Sequence, residues 1–216
     1  DDKFIDIGAN VGLYSVYYLN KHKNGYAYLF EPSFVNLRIL FKNLELNRAK
    51  NYVIFPNPLF QKTMIGKFSL SYESEGSAFS SFVIDKGFDG KPLDSITEFN
   101  TYGLSLDDIS KNKLIDPSSS IYHVKIDVDG AECEVLKGAY NFLKHPNIKT
   151  VLIELYLYEN YNNILKMFEE MDFIQDKSFL EKTKLMQIDN VKKGIIYKEL
   201  EPTVLNHLFI KKNKIK

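Results

Sequence analysis

Residues 4–12 read Phe-Ile-Asp-Ile-Gly-Ala-Asn-Val-Gly, an apolar run that breaks into a turn carrying Gly8, Asn10 and Gly12. A helical pattern starts at Leu13, and a second apolar run, Tyr26–Phe30, ends in Glu31. Strand, glycine turn, helix, strand and acid is the order of a nucleoside site in a doubly wound α/β sheet. Glycines lack a Cβ and tolerate positive φ, so Gly8 and Gly12 let a ligand sit against the backbone. Glu31 suits a ribose, because a carboxylate can accept hydrogen bonds from both vicinal hydroxyls. Asp6, inside the first strand, either orients the turn or meets an amine of the cofactor.

The turn narrows the choice of cofactor. A dinucleotide fingerprint, Gly-x-Gly-x-x-Gly, packs a pyrophosphate onto a helix N-terminus. Here the middle glycine is absent, and Asn10 puts a side chain where a pyrophosphate would need bare backbone. That suits a nucleoside without phosphates, of which S-adenosylmethionine is the common case. A tight turn with no ligand is the plain alternative for the glycines alone, and the placement of Glu31 favours the cofactor.

In such a sheet the site lies outside the carboxyl ends of the strands. That rule collects Asp6, Gly8, Asn10, Glu31, Asp127, Asp129 and Glu154 on one rim. Group transfer from such a cofactor to an acceptor needs alignment, exclusion of water, and a group that takes the acceptor's proton. Asp127 and Asp129, at the end of the apolar run 121–128, are candidate bases, and His123 in the same run is a third. The carboxylates can also hold magnesium or calcium through oxygen, although this spacing does not demand a metal. Glu132 opens the next helix, where a carboxylate also serves against the helix dipole. His22 and His145 fall near helix ends, His207 precedes the last strand as a structural residue, and no pair has metal-ligand helix spacing.

These residues need a scaffold, and the periodicity outlines one. The runs Lys3–Ile7, Tyr26–Phe30 and Tyr52–Phe55 read as strands, with helices from Leu13 and after Pro32-Ser33. In the second helix Leu37, Leu40, Phe41 and Leu44 make one apolar stripe. Ile65-Gly66-Lys67 reads as a hairpin turn. Residues 73–101 have little periodicity and are expected to be an active-site loop or an insertion. A short helix starts at Leu106, a helix covers 131–143, and 150–155 is a strand ending near Glu154. Ile164, Phe168 and Met171 stripe another helix, and 173–209 reads as a β-rich finish with a last strand at 208–211.

The bulk composition excludes several classes. With 216 residues the chain suits a single α/β domain. Lys plus Arg and Asp plus Glu number 28 each, so no global field attracts nucleic acid or anionic membrane. Lys192-Lys193 and Lys211-Lys212 read as solvated, and no basic groove with aromatic platforms is visible. Cys133 is the single cysteine, which excludes an intrachain disulfide. No run approaches a membrane span of about 20 apolar residues, and no signal peptide is visible, so a cytoplasmic location is expected. The sequence begins without Met and almost directly in a strand, so an N-terminal lid can lie upstream.

Four stretches together resemble the FkbM family of S-adenosylmethionine-dependent methyltransferases. They are the run from Phe4 through Ser15, Phe30-Glu-Pro-Ser-Phe-Val-Asn36, Ser105-Leu-Asp-Asp-Ile109, and Lys125-Ile-Asp-Val-Asp-Gly-Ala-Glu132 with Val135-Leu-Lys-Gly138. The resemblance implies a Rossmann-like class I methyltransferase fold, with a seven-stranded, mostly parallel sheet, one antiparallel strand and helices on both faces. It also implies methyl transfer to a hydroxyl oxygen of a small-molecule, sugar or natural-product acceptor. Asp129 stands where the family usually has Glu, one methylene longer. Two rivals stand beside this reading: a methyltransferase-like domain that binds without catalysis, and a nicotinamide-dependent oxidoreductase, against which the Asn10 turn argues.

Overall fold

A computed structural model describes residues 2–70, 80–84, 95–156, 160–193 and 204–212. Along the chain run β1 (Lys3–Ile7), α1 (Leu13–Lys21), β2 (Tyr26–Phe30), α2 (Phe34–Leu46) and β3 (Tyr52–Phe55). Then come β4 (Met64–Leu70), β5 (Ser80–Phe82), β6 (Thr97–Gly103), α3 (Leu106–Lys111) and β7 (Tyr122–Ile126). The remainder is α4 (Glu132–Gly138), α5 (Tyr140–Lys144), β8 (Ile148–Tyr156), α6 (Tyr161–Glu170), β9 (Phe173–Gln175), α7 (Lys177–Lys192) and β10 (Val204–Lys211).

The main sheet has seven strands in the order β3-β2-β1-β7-β8-β10-β9. β1 lies between β2 and β7, parallel to both, with Ile7 opposite Phe30 on one side and Ile126 on the other. β10 alone runs antiparallel to its neighbours β8 and β9. This is the seven-stranded α/β architecture expected. A central parallel strand is covered on both faces, and Ile5, Asp6 and Ile7 are accordingly all buried. Apolar residues of β1, β7 and β8 form the core with Phe142, Phe168 and Phe209. Phe168 stacks on Phe209 with ring centroids 3.7 Å apart. Among the described residues no helix is long and apolar enough to cross a membrane.

Several expectations change. In α2 the Ser33 hydroxyl caps the helix by accepting from the Asn36 N–H, and Leu40 and Leu44 are fully buried, but Phe41 is 55% exposed and leaves the stripe. No hairpin forms at Gly66. β4 runs through it and pairs with β6 from Met64 to Leu70, while β5 pairs on the other side. A Cβ at Gly66, or at Gly103 on β6, would run into the ring of Phe82, so these glycines make room for a side chain. The expected loop at 73–101 therefore contains two strands of a three-stranded antiparallel sheet, while 73–79 and 85–94 lie outside the described residues.

The expected helix over 131–143 divides at Ala139 into α4 and α5; beside the break, a Cβ at Gly138 would overlap the Phe60 carbonyl. In the β-rich finish α7 takes up much of the length. It packs on β10, with Thr183 and Gln187 donating to the carbonyls of Asn206 and Val204. His207 lies inside β10, fully buried, and burial lowers it to about 4. Lys211 is buried too, its ammonium donating to the carbonyls of Leu143 and Met171 at 2.6 and 2.9 Å.

Candidate active site

Three left-handed residues shape the turn after β1: Gly8 at φ 76°, Asn10 at φ 49° and Gly12 at φ 86°. The N–H groups of Gly8 and Ala9 both donate to the Phe30 carbonyl at 3.0 Å, which fastens the turn to the end of β2. Glu31 fastens it again. Its Oε2 accepts from the Asn10 N–H at 2.7 Å and its Oε1 from the Ser33 N–H at 2.9 Å. Burial pushes Glu31 up to about 7, against the lowering effect of those two bonds and one from the Asn36 side chain. A carboxylate offers about four acceptor sites, so with three taken Glu31 can still accept from a ligand.

The two glycines have different structural reasons. A Cβ at Gly8 would overlap the backbone carbonyl oxygen of Asp127, so the ends of β1 and β7 touch through bare backbone. A Cβ at Gly12 would meet the side chain of Leu40, so this glycine lets α1 start close against α2. Gly8 lines the cavity described below and Gly12 does not. Asp6 is fully buried beneath the turn and also outside the cavity lining, accepting from the Ser15 hydroxyl at 2.6 Å with Lys125 Nζ at 3.5 Å.

Lys125 organises the rim, and the sequence reading missed it. Its side chain is buried, and its ammonium donates to the Gly8 carbonyl at 3.0 Å and lies 3.2 Å from Asp127. The Tyr14 ring sits 5.1 Å away. Burial disfavours the charged lysine, but Asp6 and Asp127 outweigh it and raise the lysine above its ordinary range. The signal was available: residues two apart in a strand share a face, so Lys125 and Asp127 had to be neighbours.

A cavity of about 430 Å³ opens at this edge of the sheet. Its polar wall holds Asn10, Glu31, Lys125, Asp127, Asp129 and Glu154, and its apolar wall includes Phe30, Leu59, Phe68 and Phe82. Phe68 and Phe82 belong to the three-stranded sheet, which thereby supplies one side of the cavity. Asp129 and Gly130 turn with φ 54° and 105°. Glu132 is buried below them, accepting from the N–H groups of Val128 and Gly130 at 3.4 and 3.2 Å, and desolvation pushes it up to about 7. Desolvation does the same to Glu154, helped by the charges of Asp127, Glu132 and Asp129.

His123 is not part of this group. It sits at the amino end of β7, with Nδ1 2.7 Å from the Thr150 hydroxyl and Nε2 3.2 Å from Asp2. Four residues of strand at about 3.3 Å each put it some ~13 Å along the chain from Asp127. Sharing the apolar run 121–128 with Asp127 does not bring His123 to the site, because the run spans the length of the strand. Among the described residues no three carboxylate, histidine or cysteine groups are arranged to hold a metal ion.

A family described as the methyltransferase FkbM domain matches residues 6–179, which takes in every cavity residue named above. The chain belongs to the FkbM methyltransferase family. The methyltransferase sdnD of Sordaria araneosa is 27% identical over 158 residues, 62% of this chain and 59% of that protein. This chain thus spans less than two thirds of that relative. Solved structures share the fold at low identity. A precorrin-6y C5,15-methyltransferase from Geobacter metallireducens has a TM-score of 0.50 at 11% identity, over 99% of this chain and 81% of that one. An rRNA methylase from Streptococcus thermophilus has a TM-score of 0.51 at 8% identity, over 99% and 88%. A Streptococcus mutans protein solved with SAH has a TM-score of 0.51 at 10% identity, over 98% and 89%.

The FkbM resemblance read from the motifs, and the class I fold it implied, both hold. S-adenosylmethionine is the cofactor of this family. Membership in a methyltransferase family displaces the nicotinamide alternative.

Proposed function

We propose that this FkbM methyltransferase binds S-adenosylmethionine in the cavity at the β1–β7 edge and methylates a hydroxyl oxygen of a small-molecule or glycan acceptor. One observation carries the cofactor half. Glu31 lies on the cavity wall, clamped between the Asn10 and Ser33 N–H groups, with acceptor capacity left for a ribose hydroxyl. Gly8 and Asn10 would border the methionine part, and Asp6 would act from below by holding Lys125. Gly12 would contribute through the seating of α1. When bound, the cofactor supplies an electrophilic methyl group on a sulfonium.

The chain's own residues orient the partners and keep water away. The apolar wall of Phe30, Leu59, Phe68 and Phe82 excludes solvent from one side. Asp127 and Asp129 stand on the polar wall, where a hydroxyl acceptor would approach. The equal numbers of acidic and basic residues favour a small acceptor over nucleic acid.

Calorimetric titration with S-adenosylhomocysteine tests the cofactor half, with NADH as control and Glu31→Ala in parallel. Binding of S-adenosylhomocysteine that the variant loses, with no NADH binding, is the expected result. Unchanged affinity in Glu31→Ala would remove Glu31 from the site. Transfer of a labelled methyl to alcohols, with and without magnesium, tests the acceptor half. Binding without turnover of any acceptor would favour the non-catalytic reading.

A further inference from the structure

We propose that Glu154 is the catalytic residue that takes the proton from the acceptor hydroxyl, a role that rests on the methyl-transfer reading above. Glu154 lies near the end of β8, whose Ile153 pairs with Ile126 at the end of β7. Its carboxylate therefore stands one strand away from Asp127, on the same cavity wall.

The other acidic groups of that wall are engaged. Glu31 accepts from two backbone N–H groups. Asp127 is paired with Lys125. Asp129 sits on a left-handed turn and has interactions of its own. Glu154 has no hydrogen-bond or ion-pair partner among the described residues, so its oxygens are available to a donor entering the cavity. The groups facing it are Asp127, Asp129 and Lys125 from β7 and its following turn, Glu132 from α4, Tyr156 two residues on along β8, and the neutral Asn206 on β10. With Glu154 pushed up to about 7, it can take a proton near neutral pH and return it to water.

The step balances as a displacement. The acceptor O–H bond breaks and its proton goes to a Glu154 oxygen. The acceptor's electron pair forms the new O–CH3 bond, while the pair of the broken C–S bond returns to sulfur. The products are a methyl ether, a neutral thioether and protonated Glu154, which gives its proton to water.

The test needs no acceptor, because S-adenosylmethionine and S-adenosylhomocysteine differ at the sulfur by one methyl and one positive charge. A carboxylate beside the reacting methyl must sense that charge. Glutamate labelled with 13C at the carboxyl carbon is followed by NMR against pH in each complex. The Glu154 signal is identified by its loss in Glu154→Gln, or by the corresponding loss in Glu154→Asp if the first variant fails to fold.

The Glu154 midpoint is expected to lie lower with S-adenosylmethionine by about one pH unit or more, the effect of a full charge within roughly 6 Å. Equal midpoints in the two complexes would overturn the proposal. Calorimetry separates the other failures. A loss of S-adenosylhomocysteine affinity beyond about tenfold in Glu154→Gln would make Glu154 a cofactor ligand and also overturn it. No binding of either compound to the unaltered protein would be a failure of the methyl-transfer reading itself.

Discussion

Lys125 shows how much one side chain can hold. Asp6 has no exposure and its nearest cation is Lys125, at 3.5 Å. Lys125→Met would leave that carboxyl group without its cation, and removing one partner of a buried pair costs roughly 3–5 kcal/mol. Urea unfolding should show that loss, and adding Asp6→Asn should recover part of it. Glu31 bears on the proposed cofactor binding instead. Hydrogen bonds to a charged group contribute about 1.5–3 kcal/mol, so Glu31→Ala should weaken S-adenosylhomocysteine by roughly ten- to a hundredfold. A diol that donates to Glu31 favours its ionised form, and Glu31 lies near 7. Affinity should therefore fall as pH drops from 8 to 6, measured by calorimetry, and the trend should vanish in Glu31→Gln. The place of Glu31 on the cavity wall was legible in the sequence, because it ends the strand next to the glycine turn. Lys125 heads one of the FkbM-like stretches but was given no role there, because a lysine inside an apolar run reads as part of the strand.

Among the elements, β1 to β3 with α1 and α2 were legible, because apolar runs of strand length alternate there with helical patterns. The second sheet was not, and Gly66 shows why. A glycine between two apolar stretches signals either a turn or a close approach, and only the position of Phe82 decides between them. Gly66→Val should drive a branched side chain into that ring and cost about 1–3 kcal/mol by overpacking. Phe82→Ala should cost roughly 3–5 kcal/mol by leaving a cavity. Because the two positions share one space, the double variant should lose less than the sum in a thermal-unfolding cycle. The close approach at Gly138 hid for a similar reason, since its partner is the Phe60 carbonyl, far away in sequence.

For the whole molecule, the buried acids couple stability to pH. Glu31, Glu132 and Glu154 rise from 4.5 to about 7 on folding. The folded chain thus binds more protons than the unfolded one between those values, so their contribution is present at low pH and lost as pH rises through 7. His207, lowered to about 4, acts the other way, but only below 6.5. Urea midpoints should therefore rise as pH falls from about 8 to about 6.5, and Glu132→Gln should flatten the trend. Stability and cofactor affinity would then respond to pH in opposite directions, so a bound ligand should raise the melting temperature most on the alkaline side.

The backbone contact between Gly8 and Asp127 has a practical consequence for redesign. With no atom to spare at that seam, the cofactor turn and the acidic rim form a fixed jaw, and Gly8→Ala should cost roughly 1–3 kcal/mol as read by urea unfolding. The opposite jaw is built from side chains on a separate sheet, where Ser80 and Phe68 face the same space. A library meant to widen the range of acceptors should spend its diversity on those two positions and leave the seam untouched.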